Sequence, residues 1–173
     1  MKKILAFNGS PRPGGNSSQL LERFIEGTRT NNVTTDIISP YALNLSHCTG
    51  CLRCNVLKRC SITDDDWGTL SEKILDADIL VFASPIYFLH LPGPLKSVID
   101  RFRSFNNIRI TETGLIHTPW QEWQKDIVLL LSMGSPDSFH ADQVIKLFEY
   151  ITTEMGTGNT LHVITAIRLA VPG

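Results

Sequence analysis

Cysteine is the residue whose placement in this sequence points most directly to chemistry. The four cysteines lie in one short segment with the spacing C-x2-C-x2-C-x5-C, at Cys48, Cys51, Cys54 and Cys60. Four thiolates at this spacing can wrap a 4Fe-4S cluster or a tetrahedral zinc ion, and the close C-x2-C-x2-C repeat is more typical of 4Fe-4S sequences. The segment is therefore predicted to bind a 4Fe-4S cluster. A zinc site and free or oxidised thiols stay open as alternatives.

A second candidate site is a loop of glycine and small polar residues that follows the first apolar run. Residues 8–18 read NGSPRPGGNSS, and a helix is predicted to begin at Asn16. Free backbone N–H groups and the positive end of a helix dipole bind anions at such a junction. The loop has neither a P-loop lysine nor a G-x-G-x-x-G motif, which favours a monophosphate. An ordinary strand-to-helix turn is the alternative. The candidate phosphate contacts are Ser10, Arg12, Asn16, Ser17 and Ser18.

A third candidate is an apolar loop after the third strand-like run, where residues 84–94 read SPIYFLHLPGP. Aromatic and apolar side chains at the carboxyl end of a strand predict a cover for a planar ligand. The polar edge of that ligand would accept hydrogen bonds from the backbone N–H groups of Ile86, Tyr87 and Phe88. A loop that buries its aromatic rings in the core is the alternative.

The hydrophobic pattern predicts the scaffold that positions these loops. Five apolar runs are strand-like, at residues 3–7, 33–38, 79–83, 127–131 and 161–167. Segments of helical period lie between them, so the predicted fold class is α/β, a doubly wound parallel sheet with helices on both faces. Ligands bind such sheets outside the carboxyl ends of the strands. The residues after position 167 are too few for a final helix, which is expected to be missing.

Composition limits the classes of partner. The chain has 173 residues and a net charge of −1, with 42% hydrophobic and 19% charged residues. This balance predicts a single domain over residues 1–173, with a cysteine-rich insertion at about 45–62. No long basic run is present, which excludes nucleic acid and anionic membranes as expected partners. No apolar run approaches the roughly 20 residues of a membrane span or forms a signal peptide, so the expected location is cytoplasmic.

The ordered motifs resemble one known family. The loop over 9–17, the cysteine segment, the SPIY run over 84–87 and the Asp100-Arg101 pair together resemble the flavodoxin-like NADPH-dependent FMN reductases, in particular the iron-sulfur flavoprotein branch. The motifs reach to about Arg101, and the remainder fits only in its order of elements. The resemblance implies the strand order 2-1-3-4-5, with FMN phosphate on the first loop. It also implies that the flavin ring contacts Pro85, Ile86, Tyr87, Phe88, Met133 and Gly134.

The function implied by the resemblance is a flavin-dependent NAD(P)H oxidoreductase or electron-transfer flavoprotein. FMN would move electrons between NAD(P)H or a carrier and the 4Fe-4S cluster, with a small molecule or protein as acceptor. No catalytic side chain is expected, because the cofactor carries the chemistry. The family also implies a homodimer or homotetramer. The alternatives are an FMN or quinone reductase without a cluster, and a non-enzymatic zinc or thiol redox sensor that binds a phosphorylated ligand. A thiol-disulfide reductase using Cys51 and Cys54 is disfavoured, because no thioredoxin-like pattern accompanies them.

Overall fold

Alternating apolar runs and amphipathic segments form seven strands and five helices in the computed structural model, which describes residues 1–29, 32–156 and 158–169. The strands are β1 (Lys2–Asn8), β2 (Val33–Ile38), β3 (Ile79–Pro85), β4 (Asn106–Thr111), β5 (Gly114–Pro119), β6 (Asp126–Ser132) and β7 (Thr160–Ala166). The helices are α1 (Asn16–Thr28), α2 (Cys54–Leu57), α3 (Trp67–Asp76), α4 (Gly93–Arg101) and α5 (Asp142–Glu154).

Five of the strands form one parallel sheet in the order β2-β1-β3-β6-β7. These are the five strands predicted from the apolar runs, so the predicted order 2-1-3-4-5 is confirmed. The register sets Phe7 beside Phe82 and Ala83 beside Leu130. The order reverses between β1 and β3, which is the position where ligands bind in open α/β sheets.

Helices cover both faces of the sheet, as predicted. Successive side chains of a strand point to opposite faces, so β1 and β3 contribute to two separate cores. The larger core lies under α3, α4 and α5, where the Phe82 ring stacks on Phe7 at 5.0 Å between centroids and meets Phe148 at 4.8 Å. The smaller core lies under α1, where Leu21 packs against Val81 and its neighbours. The two cores hold the carboxyl ends of β1, β3 and β6 in fixed positions.

The sequence analysis missed an antiparallel hairpin, β4–β5, between α4 and β6. Its strands form no ladder with the main sheet, and Ile110 and Leu115 are exposed on it. Within the part of the chain that the structure describes, no helix follows β7; residues 170–173, on which the prediction of a missing helix also depends, lie outside that part. Among the described helices, none has the length and apolar character needed to cross a membrane.

Candidate functional site

Three loops meet at the carboxyl edge of the sheet and line one pocket, here called the sheet-edge pocket. They follow β1, β3 and β6, the strands on either side of the point where the strand order reverses. Nine of the eleven predicted cofactor contacts line it; Ser18 and Phe88 do not. The lining residues are Ser10, Arg12, Gly15, Asn16, Ser17, Pro85, Ile86, Tyr87, Ser132, Met133, Gly134 and Leu169.

The loop after β1 is folded tightly against β3. The Gly9 N–H donates to the Ala83 carbonyl at 2.7 Å. A Cβ at Gly9 would lie 2.7 Å from Leu95 Cδ2 and 2.9 Å from the Ala83 carbonyl oxygen, closer than real Cβ contacts. Ser10 Oγ accepts a hydrogen bond from the Arg12 N–H at 3.2 Å and donates to the Arg12 carbonyl at 3.1 Å. The close approach of Gly9 to β3 and to Leu95 therefore fixes where the rest of the loop can lie.

The start of α1 presents backbone donors to this pocket. The first hydrogen bond within the helix is from the Gln19 N–H to the Gly15 carbonyl, at 2.9 Å. The N–H groups of the three residues over 16–18 therefore have no acceptor in the helix, and no side chain caps them. The first turn has no acidic residue. Among the described residues that line the pocket, Arg12 is the only charged one. The pocket therefore favours an anion.

Two predicted phosphate contacts have their hydroxyls engaged in the fold. Ser17 Oγ is buried and lies 2.6 Å from Ser132 Oγ, a hydrogen bond that joins α1 to the end of β6. Ser18 Oγ donates to Asn8 Oδ1 at 3.1 Å and supports the loop from behind the pocket. The predicted contact of the Ser18 hydroxyl with a phosphate stays a prediction. The sequence analysis did not predict Ser132 as a site residue, although the last residue of a parallel strand lies at the edge of the sheet where ligands bind.

The loop after β3 differs from its predicted geometry. The Ile86 N–H donates to the Ser132 carbonyl at 2.9 Å, and the Tyr87 N–H to the His90 carbonyl at 2.9 Å, so neither is free for a ligand. Phe88 and Leu89 form the turn between Tyr87 and His90, with φ angles of 49° and 66°. These left-handed conformations turn the Phe88 side chain into solvent, fully exposed and outside the pocket lining. The predicted contact of Phe88 with the flavin ring stays a prediction.

The loop after β6 closes the third side of the pocket. The Met133 N–H donates to the Ala166 carbonyl at 2.9 Å, and the Leu169 N–H donates to the Met133 carbonyl at 3.1 Å. Met133 is buried, and Gly134 lies beside it in the lining. Leu169 was missed in the sequence, because its place depends on pairing beyond the end of β7.

All four cysteines line a second pocket, here called the thiol pocket. Cys48 and Cys51 are exposed, Cys60 is half-buried and Cys54 is buried. A hydrogen bond with Ser61 Oγ, 3.4 Å from Cys51 Sγ, lowers the pKa of the Cys51 thiol, and backbone donation from Arg53 adds to this. Burial raises the pKa of the Cys54 thiol, against the field of Arg103. No group of three or more His, Cys, Asp or Glu side chains within the described ranges is placed to hold a metal ion.

The hairpin missed by the sequence analysis supports the cysteine segment. Asn55, in α2, accepts a hydrogen bond from the Ile108 N–H at 3.1 Å and donates to the Ile108 carbonyl at 3.1 Å. Arg103 donates to the same Asn55 side chain at 2.8 Å. The side chain of one residue therefore docks α2 on the edge of β4. The thiol pocket and the sheet-edge pocket share no lining residue.

A five-stranded parallel sheet in the order 2-1-3-4-5, with a pocket at the reversal of strand order, defines the flavodoxin-like fold. The chain belongs to the NADPH-dependent FMN reductase family, whose sequence model matches residues 2–166. This confirms the resemblance found in the sequence. FMN is therefore the cofactor of the family to which the chain belongs.

Relatives with known names are similar to this chain over different lengths. An iron-sulfur flavoprotein of Methanocaldococcus jannaschii is 33% identical over 101 residues, which are 58% of this chain and 52% of that protein. An iron-sulfur flavoprotein of Archaeoglobus fulgidus is 24% identical over 158 residues, 90% of this chain and 68% of that protein. The matched part of this chain thus spans about half the length of the first relative.

A solved structure has the same fold. The crystal structure of an FMN-dependent NADH-azoreductase from Bacillus anthracis, in complex with FMN, superposes with a TM-score of 0.67 and 17% sequence identity. The superposition covers 100% of this chain and 90% of the azoreductase. At this level of identity the likeness concerns the fold alone.

Proposed function

We propose that this chain is an FMN-dependent NAD(P)H oxidoreductase that binds its cofactor in the sheet-edge pocket. The observation that carries the proposal is the convergence of three loops on a pocket that has uncapped helix N–H groups and the positive charge of Arg12. Membership of the FMN reductase family supports it. When bound, FMN supplies hydride acceptance and the return of electrons to an acceptor.

The residues of the pocket divide the work of binding between phosphate and ring. The N–H groups at the start of α1 and the Arg12 guanidinium would hold the phosphate. Gly15 leaves that cradle open, since a Cβ there would lie 3.0 Å from Ser10 Oγ. The predicted ring contacts over 85–87 and the Met133-Gly134 pair form the less polar remainder of the lining. These groups bind, orient and shield the cofactor, and none of them is assigned a proton transfer.

The finer proposal is that the thiol pocket holds a 4Fe-4S cluster. Its donor set fits this group chemically, because four cysteines line one pocket and 4Fe-4S clusters are held by four thiolates. Cys48, Cys51, Cys54 and Cys60 would be the ligands, and the cluster would supply one-electron transfer. The four thiols would have to move closer together to hold the cluster. In the described part of the chain, no three cysteine side chains are close enough to bind one metal ion.

A second candidate is the same oxidoreductase without a cluster, with a quinone, flavin or other small acceptor. The spread of the four thiols favours it, because the described residues include no group placed to hold a metal ion. In this version the partners are NAD(P)H and a small-molecule acceptor only. Assembly as a homodimer or homotetramer and the cytoplasmic location stay predictions from the sequence.

The test is anaerobic mixing of FMN-loaded protein with NADPH or NADH. We expect the oxidised flavin absorption band to bleach within seconds and to return when a quinone is added. Iron and sulfide analysis of the same sample separates the two candidates: about four of each per chain supports the cluster, and none supports the second candidate. Failure to bind FMN, or a bound flavin that neither nucleotide reduces, would overturn the proposed oxidoreductase.

A further inference from the structure

We propose that Arg101 is the positioning residue of the thiol pocket. Its guanidinium joins the two ends of the cysteine segment, and its remaining N–H donates a hydrogen bond to sulfur of the group held there. The inference rests on the cluster version of the proposed function. Arg101 is the last residue of α4 and is far along the chain from the cysteines, but it lines the thiol pocket with them.

The first step is the connection between the two ends of the cysteine segment. One terminal nitrogen of Arg101 donates to the Ser46 carbonyl at 2.7 Å, and the other to the Ile62 carbonyl at 3.4 Å. Ser46 precedes the first cysteine and Ile62 follows the last. Both nitrogens also donate to the Asp65 carboxylate, at 2.7 and 3.3 Å. The segment between these two points is therefore closed by one side chain.

The second step is the donor that remains. A guanidinium has five N–H groups, and the four on the terminal nitrogens of Arg101 each have an acceptor. Arg101 Nε is buried and has no hydrogen-bond partner among the described residues. A buried donor on a charged group is costly to leave unpaired. Sulfur carrying negative charge in the adjacent thiol pocket is an acceptor that would satisfy it.

The third step is the rigidity of the group. Arg101 is only 1% exposed, and its guanidinium lies over the Trp67 ring at 5.1 Å from the centroid. The Trp67 indole N–H in turn donates to Ser104 Oγ at 3.2 Å, which fixes the ring. A lysine would keep the charge, but an ammonium group has three donors and lacks the planar fork that reaches Ser46, Ile62 and Asp65 together.

The test compares Arg101→Lys with Arg109→Lys, an exposed arginine on β4, in the full FMN-loaded chain. Each protein is reconstituted anaerobically with iron and sulfide. Loss of iron to a chelator and the reduction potential of the cluster are then measured. For Arg101→Lys we expect iron loss about 10-fold faster than wild type, the typical cost of removing an outer-shell partner. We also expect a lower potential, because a hydrogen bond to sulfur is lost. Arg109→Lys should match wild type in both.

A second measurement needs no variant and covers the case in which Arg101→Lys does not fold. In wild-type protein, the Nε–H resonance of Arg101 should shift and exchange more slowly with solvent after iron and sulfide are added. No change in that resonance would overturn the proposal, as would wild-type iron retention in a folded Arg101→Lys protein. A wild-type chain that takes up no iron and sulfide would also overturn it. Reduction of bound FMN by NADPH would leave the proposed oxidoreductase standing in each case.

Discussion

Replacing Gly9 with alanine is expected to weaken FMN binding by about 10- to 100-fold. Over-packing a closed site costs about 1–3 kcal/mol, and each 1.4 kcal/mol corresponds to a factor of ten. The new Cβ would lie 2.9 Å from the Ala83 carbonyl oxygen, which is backbone and cannot rotate away. The loop must therefore move off β3, and the donors at the start of α1 move with it. The measurement is a titration of the apoprotein with FMN, followed by quenching of flavin fluorescence.

The matched control for this substitution is Gly27→Ala. Gly27 lies in α1, and a Cβ there meets nothing within 4 Å. Alanine is favoured over glycine inside a helix by about 1 kcal/mol, so this variant should be slightly more stable and bind FMN as the wild type does. Equal FMN affinity in the Gly9 and Gly27 variants would show that the loop after β1 does not position the cofactor.

Replacing Asp65 with alanine is expected to destabilise the folded chain by about 3–5 kcal/mol, because it leaves a buried charge without its partner. The Asp65–Arg101 ion pair is 2.7 Å long, and its side chains are 1% and 0% exposed. Asp65 also accepts hydrogen bonds from the backbone N–H groups of Ser46 and Trp67, both at 3.0 Å. The free energy of unfolding in urea measures the effect, and Asp36→Ala, which removes an exposed ion pair, is the control with a cost of at most about 1 kcal/mol.

The same pair makes stability depend on pH on the acid side. Burial alone would raise the pKa of the Asp65 carboxyl. Hydrogen bonds from Arg101 and the backbone of Ser46 and Trp67 outweigh burial and hold the pKa below its usual value of 3.8. A depressed folded-state pKa means that the stabilisation is present above about pH 4 and is lost as pH falls through the folded pKa. The wild type should lose this increment below pH 4, and Asp65→Ala should not. Parallel acid profiles for the two proteins would contradict this role.

The main sheet could be predicted because its signal is local. The central strands β3 and β6 are buried on both faces, so each is a continuous apolar run that can be recognised without knowledge of its neighbours. The three loops of the sheet-edge pocket follow from the same fact, since parallel strands end at one edge. The hairpin β4–β5 has no such signal, because nearly all of its residues are exposed or half-exposed and it is held by contacts with α2.

The details of the sites depend on long-range contacts that no local pattern encodes. Phe88 was predicted to cover the ligand because it is aromatic, but the left-handed turn at Phe88 and Leu89 directs it to solvent. Arg101 was noted only as part of a motif. Its role depends on carbonyl groups from Ser46 and Ile62, more than thirty positions away. The spacing of the cysteines predicted a shared pocket but not how far apart the thiols lie in it.

The most direct test of the central claim is an NMR titration of the isotopically labelled chain with FMN and, separately, with riboflavin. FMN should shift the backbone amide signals of Asn16, Ser17 and Ser18, with smaller shifts in the loops after β3 and β6. Riboflavin lacks the phosphate and should bind at least about tenfold more weakly, a difference of about 1.4 kcal/mol. Amide shifts around the thiol pocket instead, or equal affinity for the two flavins, would contradict a phosphate site at the start of α1.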